Sequence, residues 1–250
     1  MPGRPIPISA STLIRIGLTA AIFAVLVLYP EIWNRILPPL FPDLSQHLYQ
    51  RTSFLDLVLE HGSLVLVSSG MSVLIGIGLG IFVTRAFGRD FLPVVNSMVS
   101  VGQTFPPVAV LALAVPAVGF GAAPTIIALF LYGLLPVVRN TIAGIESIPG
   151  HITEAAQGMG MTGTQILTKV ELRMALPVIM AGIRTSVIIN IGTATLGATI
   201  GAGGLGAPII AGLIGQNPAF VLEGAAVAGL FAVLADAILE GAEESVSPAR

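Results

Sequence analysis

The chain reads as an all-α, polytopic membrane protein with about six transmembrane helices. Two features of its composition point there: apolar side chains make up 54% of its 250 residues and charged ones only 10%, where a soluble domain carries about 25% charged. Mean hydropathy of +0.94 agrees. The third is spacing, because the few charges leave uncharged runs as long as a bilayer crossing, roughly 20 helical residues for a core about 30 Å thick. Absence of Cys excludes disulfides, zinc ribbons, iron–sulfur clusters and a thiol nucleophile. A formal charge of −2 gives no reason to expect a nucleic-acid partner. With 29 Gly and 18 Pro, the helices are expected to pack closely and several to be broken.

A first span covers about residues 11–29, with Arg15 near enough to its start to snorkel to the headgroups. No small-residue cleavage site follows it, so it reads as a retained anchor and not a signal peptide. Residues 30–60 carry Glu31, Arg35, Asp43, Arg51 and Asp56 and read as a loop with a short interfacial helix. His61 reads as an interfacial residue before a second, charge-free span over 62–84. The next 48 residues, 91–138, contain no Asp, Glu, Lys, Arg or His. As one helix they would reach about 72 Å, more than twice the membrane core. The run therefore folds back at Gly119–Pro124, where Gly and Pro are densest, leaving spans over about 91–118 and 123–138.

A polar segment, 139–175, follows, and then 38 uncharged residues, 185–222, again too many for one crossing. The Gly-rich run 201–206 ends a fifth span of about 177–200, and an external loop with a short surface or re-entrant helix reaches Pro218. A last span covers about 219–240. Lys and Arg set the orientation. With the N-terminus inside, eight of them are cytoplasmic (Arg4, Arg15, Arg85, Arg89, Arg139, Lys169, Arg173, Arg250) and two, Arg35 and Arg51, are external. Both termini and the 139–175 loop are thus expected in the cytoplasm. Three units result: an anchor helix and external loop (1–59), a transmembrane domain (60–240) and a short tail (241–250).

Inside the polar segment, Pro149-Gly150 makes a turn and His151–Met159 reads as a short helix broken by Gly160. Thr162-Gly163-Thr164-Gln165 has the form of a capping box that starts a second helix, expected to end at Leu176-Pro177. Two short helices at an angle, with Ala155, Ala156 and Gly160 between them, make a surface that another protein can grip closely.

Glu154-Ala155-Ala156, three residues, Gly160, nine residues and Val170-Glu171-Leu172 together resemble the EAA loop of binding-protein-dependent ABC importer permeases of type I. The family pattern is Glu-Ala-Ala, three residues, Gly, nine residues, Ile, any residue, Leu-Pro. Here Val170 replaces Ile, and Arg173 stands where Pro is usual and is able to lengthen the second helix. The likeness covers about residues 60–240. The stretches Gln103–Pro107, Leu134–Thr141, Glu154–Met161, Ile191–Leu196 and Ile200–Gly206 look most like permeases for glycine betaine, choline, carnitine and proline betaine. The resemblance implies an inner-membrane subunit of a bacterial importer, a second permease copy or homologue, and a separate extracytoplasmic binding protein docking around 30–55 and 201–218. It also implies ATPase subunits that bind ATP and Mg and grip the 151–160 helix, with Glu154 anchoring it in their cleft. A P-loop ends in Gly-Lys-Ser/Thr, and the one lysine, Lys169, follows Thr168. The chain is therefore read as a pore-former that holds no cofactor or metal and is no enzyme.

For the solute's path, Gln103-Thr104-Phe105-Pro106-Pro107 ranks first, since two prolines break a span beside polar side chains. Asn190, Thr193 and Thr195 rank second, against the plainer reading that such groups bond across helix interfaces. Phe105 and Phe120 are able to offer ring faces to a quaternary ammonium, against the plainer reading, which ranks higher, that they only pack. Arg184, about two turns inside the fifth span, is expected to snorkel or to pair with an acid, Asp236 being available. The runs Gly76–Gly80 and Gly201–Gly206 read as close-packing surfaces. Other readings stay open: a permease for another small solute such as an amino acid, and an ion-coupled secondary transporter. The latter calls for mid-membrane acids or internal repeats, and neither is evident.

Overall fold

The computed structural model describes residues 8–246, apart from the side chain of Gln103. Helix α1 (Ala10–Leu28) begins at Ser9, whose hydroxyl accepts from the Thr12 N–H, and presents Leu13, Ile14, Leu18 and Ile22 outward as a lipid-facing span does. Helix α2 (Glu31–Leu40) buries Trp33 and Leu37, and the Trp33 indole donates to the Leu26 carbonyl at 3.0 Å. There follow α3 (Phe54–Thr84), α4 (Leu92–Thr104), α5 (Pro107–Val118), α6 (Ala122–Glu146), α7 (Gly150–Gly158) and α8 (Gly163–Ile166). The chain ends in α9 (Leu172–Ala194), α10 (Gly206–Ile214) and α11 (Pro218–Val246). Five stretches are long and apolar enough to cross a membrane, or six if the bent pair α4–α5 counts as one. No strand occurs among the described residues.

The centre of the bundle is α3, α6 and α9, with α11 on α9, α1 on α11, and α4 and α5 on α6. Small residues let the three central helices touch. A Cβ at Gly76 would lie 2.8 Å from Val137, and one at Gly80 2.6 Å from Thr141. At Gly133 a Cβ would meet Ser186 Oγ at 2.6 Å and both Asn190 Nδ2 and Ser72 Oγ at 2.8 Å, so all three helices converge there. Around that point runs a buried polar seam of Ser68, Ser69, Ser72, Ser186 and Asn190. Asn190 Nδ2 donates to Ser69 Oγ at 2.9 Å, and Ser72 Oγ donates to the Phe130 carbonyl at 2.9 Å. Interhelical bonds of this kind contribute about 0.6 kcal/mol each in a membrane. Their value lies in fixing which faces meet.

Several expected boundaries shift, for one reason. Charges that seemed to mark span ends lie inside helices where protein groups satisfy them. Helix α3 starts at Phe54 and not at 62, capped by Ser53, and its 31 residues project beyond the membrane core. Glu60 accepts from the Gly204 N–H at 2.9 Å. His61 is not interfacial: it is fully buried, with Nε2 donating to the Ile191 carbonyl at 3.0 Å. Helix α6 runs eight residues past Val138, so the first part of the 139–175 segment is helix and not loop. The second helix of that segment does not stop at Leu176-Pro177. One π turn over Leu167–Glu171 joins α8 to α9, and Pro177 lies inside α9. Its missing N–H loses one bond, but Ala175 and Ile179 pack against Ile145 of α6 on either side and hold the helix together. Helix α11 likewise continues through residues 241–246, so the tail begins in helix.

Residues 33–49 and 205–220 come together. Trp33, Leu37, Leu48, Tyr49, Leu205 and Phe220 share one cluster, and Asn217 Nδ2 donates to the Gln46 carbonyl at 2.8 Å. Close approach at Gly133 gives a direct test. Gly133→Val is expected to cost about 1–3 kcal/mol of overpacking and to lower the thermal midpoint of the detergent-solubilised protein. Gly70→Ala, with nothing within 4 Å of its Cβ, is expected to be neutral or slightly stabilising. Equal midpoints for the two variants would show that the three helices do not meet there.

Candidate coupling elbow and translocation break

The two short helices of the polar segment form an elbow whose geometry follows from its residues. Helix α7 ends in a Schellman motif: Met161 N–H reaches the Ala156 carbonyl at 3.1 Å and Gly160 N–H the Gln157 carbonyl at 2.8 Å. That motif needs a left-handed residue at its C′ position, and Gly160 supplies it with φ +79°. The spacing from Ala156 to Gly160 is thus the spacing of a helix stop. Two residues later Thr162 caps α8: its N–H bonds Gln165 Oε1 at 2.8 Å while its hydroxyl accepts from the Gln165 N–H at 3.4 Å. Only Met161 lies between the stop and the cap, so the elbow has little freedom. Ala156 is buried beneath it, while Glu154, Ala155, Gly158 and Met159 are exposed on its outer face.

Behind the elbow, Arg85 at the end of α3 pairs with Glu171 at the end of the π turn, Nη1 to Oε2 2.7 Å. Their side chains are 23% and 12% exposed. Sequence reasoning missed this pair, although Glu171 lies four residues before Ala175 and so continues the buried stripe Ala175, Ile179, Gly182, Ser186, Asn190. The expected pairing of Arg184 with Asp236 is present: Nε to Oδ1 is 2.5 Å and Nη2 to Oδ2 is 2.9 Å. Glu240 also pairs with Arg15, and Glu244 accepts from Ser9 N–H at 2.9 Å and from Thr12 Oγ1 at 2.8 Å. This network, joining α1, α9 and α11, is larger than charge spacing indicates. Among the described residues no group of three His, Cys, Asp or Glu side chains gathers to hold a metal ion.

At Phe105-Pro106 the chain turns by 96° between α4 and α5, both residues having extended backbone. Pro106 and Pro107 remove the N–H groups that would continue α4. Thr104 is exposed and donates to the Val101 carbonyl at 2.7 Å, and Phe105 is 49% exposed. The side chain of Gln103 lies outside the described ones. Asn190 lies apart from this break, fully buried in the seam with α3, while Thr193 and Thr195 are half-buried further along the same helix. Phe120 is 78% exposed beside Gly119 and Gly121, the two positive-φ residues at the expected fold-back.

A bundle of broken, membrane-length helices with a rigid elbow on its long polar segment is the membrane component of a transport system. Residues 76–248 match the family of binding-protein-dependent transport system inner membrane components. The chain belongs to that family. It is 43% identical over 189 residues to the osmoprotectant import permease protein OsmY of Salmonella typhimurium, covering 76% of this chain and 80% of the relative. It is 39% identical over 189 residues to the glycine betaine/carnitine/choline transport system permease protein OpuCB of Bacillus subtilis, covering 76% and 86%. Among solved structures, an inward-facing form of the MetNI methionine ABC transporter superposes with a TM-score of 0.71 at 25% identity, covering 78% of this chain and 96% of that one.

The positive φ at Gly160 makes the elbow testable. Gly160→Val is expected to cost about 1–2 kcal/mol locally and to speed limited proteolysis between α7 and α8 with the bundle's thermal midpoint nearly unchanged. Gly158→Ala, in right-handed helix with open space at its Cβ, is expected to leave cleavage as it is or slow it.

Proposed function

We propose that the chain is the permease subunit of an ATP-driven importer of compatible solutes, with glycine betaine, choline, carnitine and proline betaine as the cargo class. The observation that carries this reading is the Schellman-and-capping-box elbow over 150–166, on a chain about 40% identical to permeases named for those solutes. The membrane domain spans about 60–240 in the bacterial inner membrane, both termini and the elbow facing the cytoplasm. ATP and Mg belong to partner ATPase subunits, and this chain performs no hydrolysis. An external binding protein delivers the solute onto the packed surface of 30–55 and 201–218. A second permease copy or a homologue completes the pathway and covers the apolar face that α4 and α5 expose at Val94, Met98, Val101 and Val108.

In this reading the ATPase cleft grips α7, with Glu154 as the anchor and Ala155 and Gly158 allowing close contact. Ala156, Gly160, Thr162 and Gln165 keep the elbow rigid, so a displacement of α7 passes through α8 into α9 as a rigid-body movement. The Arg85–Glu171 pair carries the same displacement into α3. Solute passes the broken helix at Gln103, Thr104, Phe105 and Pro106, with Thr193 and Thr195 on α9 as further lining groups. Asn190 holds α9 to α3 while α9 moves. Methionine transport by the solved neighbour favours an amino acid as the second choice of cargo.

The test is uptake of labelled glycine betaine into proteoliposomes holding the permease, its ATPase subunits and the binding protein. Uptake is expected to require ATP and both partners, and Glu154→Lys to abolish it by releasing the ATPase. Arg85→Glu and Glu171→Arg are each expected to lower uptake about tenfold, roughly 1.4 kcal/mol, with the ATPase still bound. The double swap restores it. Normal uptake by Glu154→Lys at equal abundance sinks the anchor role, and failure of the double swap sinks the α3 link. ATP-dependent uptake of an amino acid but not of betaine moves the cargo to the second choice.

A further inference from the structure

Glu223 is the one charged side chain among the described residues that is at least 99% buried, in the second turn of α11. Its Oε2 accepts from the Tyr49 N–H at 2.9 Å, and Oε1 has no hydrogen-bond partner among the described residues. No basic side chain among the described residues pairs with it. It forms part of the wall of a cavity of about 610 Å³ enclosed by the outer end of α1, by α2 and by the segment 48–55. That volume lies within the range of small-molecule sites, about 300–1,000 Å³.

The cavity's make-up narrows the ligand. Among the described residues its lining includes no Lys, Arg or His; polar Glu31, Asn34, Gln50, Thr52 and Ser53 stand beside apolar surface such as Leu28 and Phe54. A carboxylate withdrawn from water without a partner costs several kcal/mol, and an ionisable side chain in a spanning helix marks a functional site by default. A positive ligand is therefore the chemistry that fits. A bare Ca²⁺ or Mg²⁺ ion takes a shell of six or more oxygens, and among the described residues no group of three His, Cys, Asp or Glu side chains gathers to begin one. An organic cation needs one counter-charge and apolar surface for its carbon atoms, and both are present. Every lining residue except Glu223 precedes residue 76, where the family match begins. The site is thus built by the chain's N-terminal segment upon the family's framework and is separate from the break at Phe105-Pro106.

We propose that this cavity binds a small alkylammonium cation through the free oxygen of Glu223, and that the ligand ties α1 and the 48–55 segment to α11. The claim concerns the permease alone and does not depend on the cargo or the ATPase.

The probe is tetramethylammonium chloride, titrated calorimetrically at constant ionic strength into the purified permease in lipid nanodiscs. Saturable binding is expected, weakened at least about tenfold in Glu223→Gln, whose amide oxygen still accepts from the Tyr49 N–H while the charge is gone. Thr52→Trp, which fills the cavity from its wall, is expected to weaken it as much. The neutral isostere 3,3-dimethylbutan-1-ol is expected not to compete. Equal binding by wild type and Glu223→Gln overturns the proposal. So does absence of saturable binding, or displacement of the probe by an equal concentration of potassium. If Glu223→Gln does not elute as a folded protein, Thr52→Trp decides, and undiminished binding there overturns the site.

Discussion

Lipid gives two helices no hydrophobic reason to associate, since each is as well solvated by acyl chains as by the other. Cohesion must come from close approach and from polar groups that find partners across the contact. In this protein both meet at Gly133, where α3, α6 and α9 converge on a backbone position with no room for a methyl group. Ser68, Ser72 and the Asn190 amide N–H around it are buried and make their hydrogen bonds to the neighbouring helix or to their own. Everything else is hung on this triad. Arg139 of α6 reaches Ser100 of α4 at 2.8 Å and so positions the broken pair, while α9 continues without interruption into the elbow. Displacement of the elbow and the setting of the break are therefore referred to one shared helix, α6.

Charge is handled by pairing across helices and not by exclusion from them. Arg15 meets Glu240, Arg184 meets Asp236 and Arg85 meets Glu171. Each pair joins different helices, so the few charges act as fasteners between elements that apolar contact alone would leave free to slide. Glu223 is buried without such a partner among the described residues.

This handling of charge explains how far the fold was legible in the sequence. Length and apolarity located the five membrane-length stretches, because the backbone of a crossing must satisfy itself. Short-range signals were read well: Gly119 and Gly121 at the fold-back, Phe105-Pro106 at the break, and Thr162 with Gln165 at the cap all rest on one or two residues and their own backbones. Arg184 and Asp236 could be matched because each alone is untenable at that depth. Span ends were misread at three charged or polar side chains that have a distant partner. Glu60 is held by Gly204, His61 by Ile191, and Arg139 by Ser100; those partners lie 39 to 144 residues away in sequence, and a pattern read along the chain does not register them. Glu223 was invisible for the same reason, since Tyr49 N–H reaches it across 174 residues.

The outermost contact has a consequence for how the protein is made. Helix α1 touches the bundle chiefly through α11, and Ser9 bonds Glu244 across 235 residues of chain. An element synthesised early thus has its docking surface supplied by the last described helix. Until α11 enters the bilayer, α1 has only its smaller contacts with α2 and α3, and Arg15 lacks its counter-charge. Assembly is then closed by a late event that joins the first described helix to the last, and a ribosome stalled before α11 leaves a protein whose first helix lacks its main docking surface.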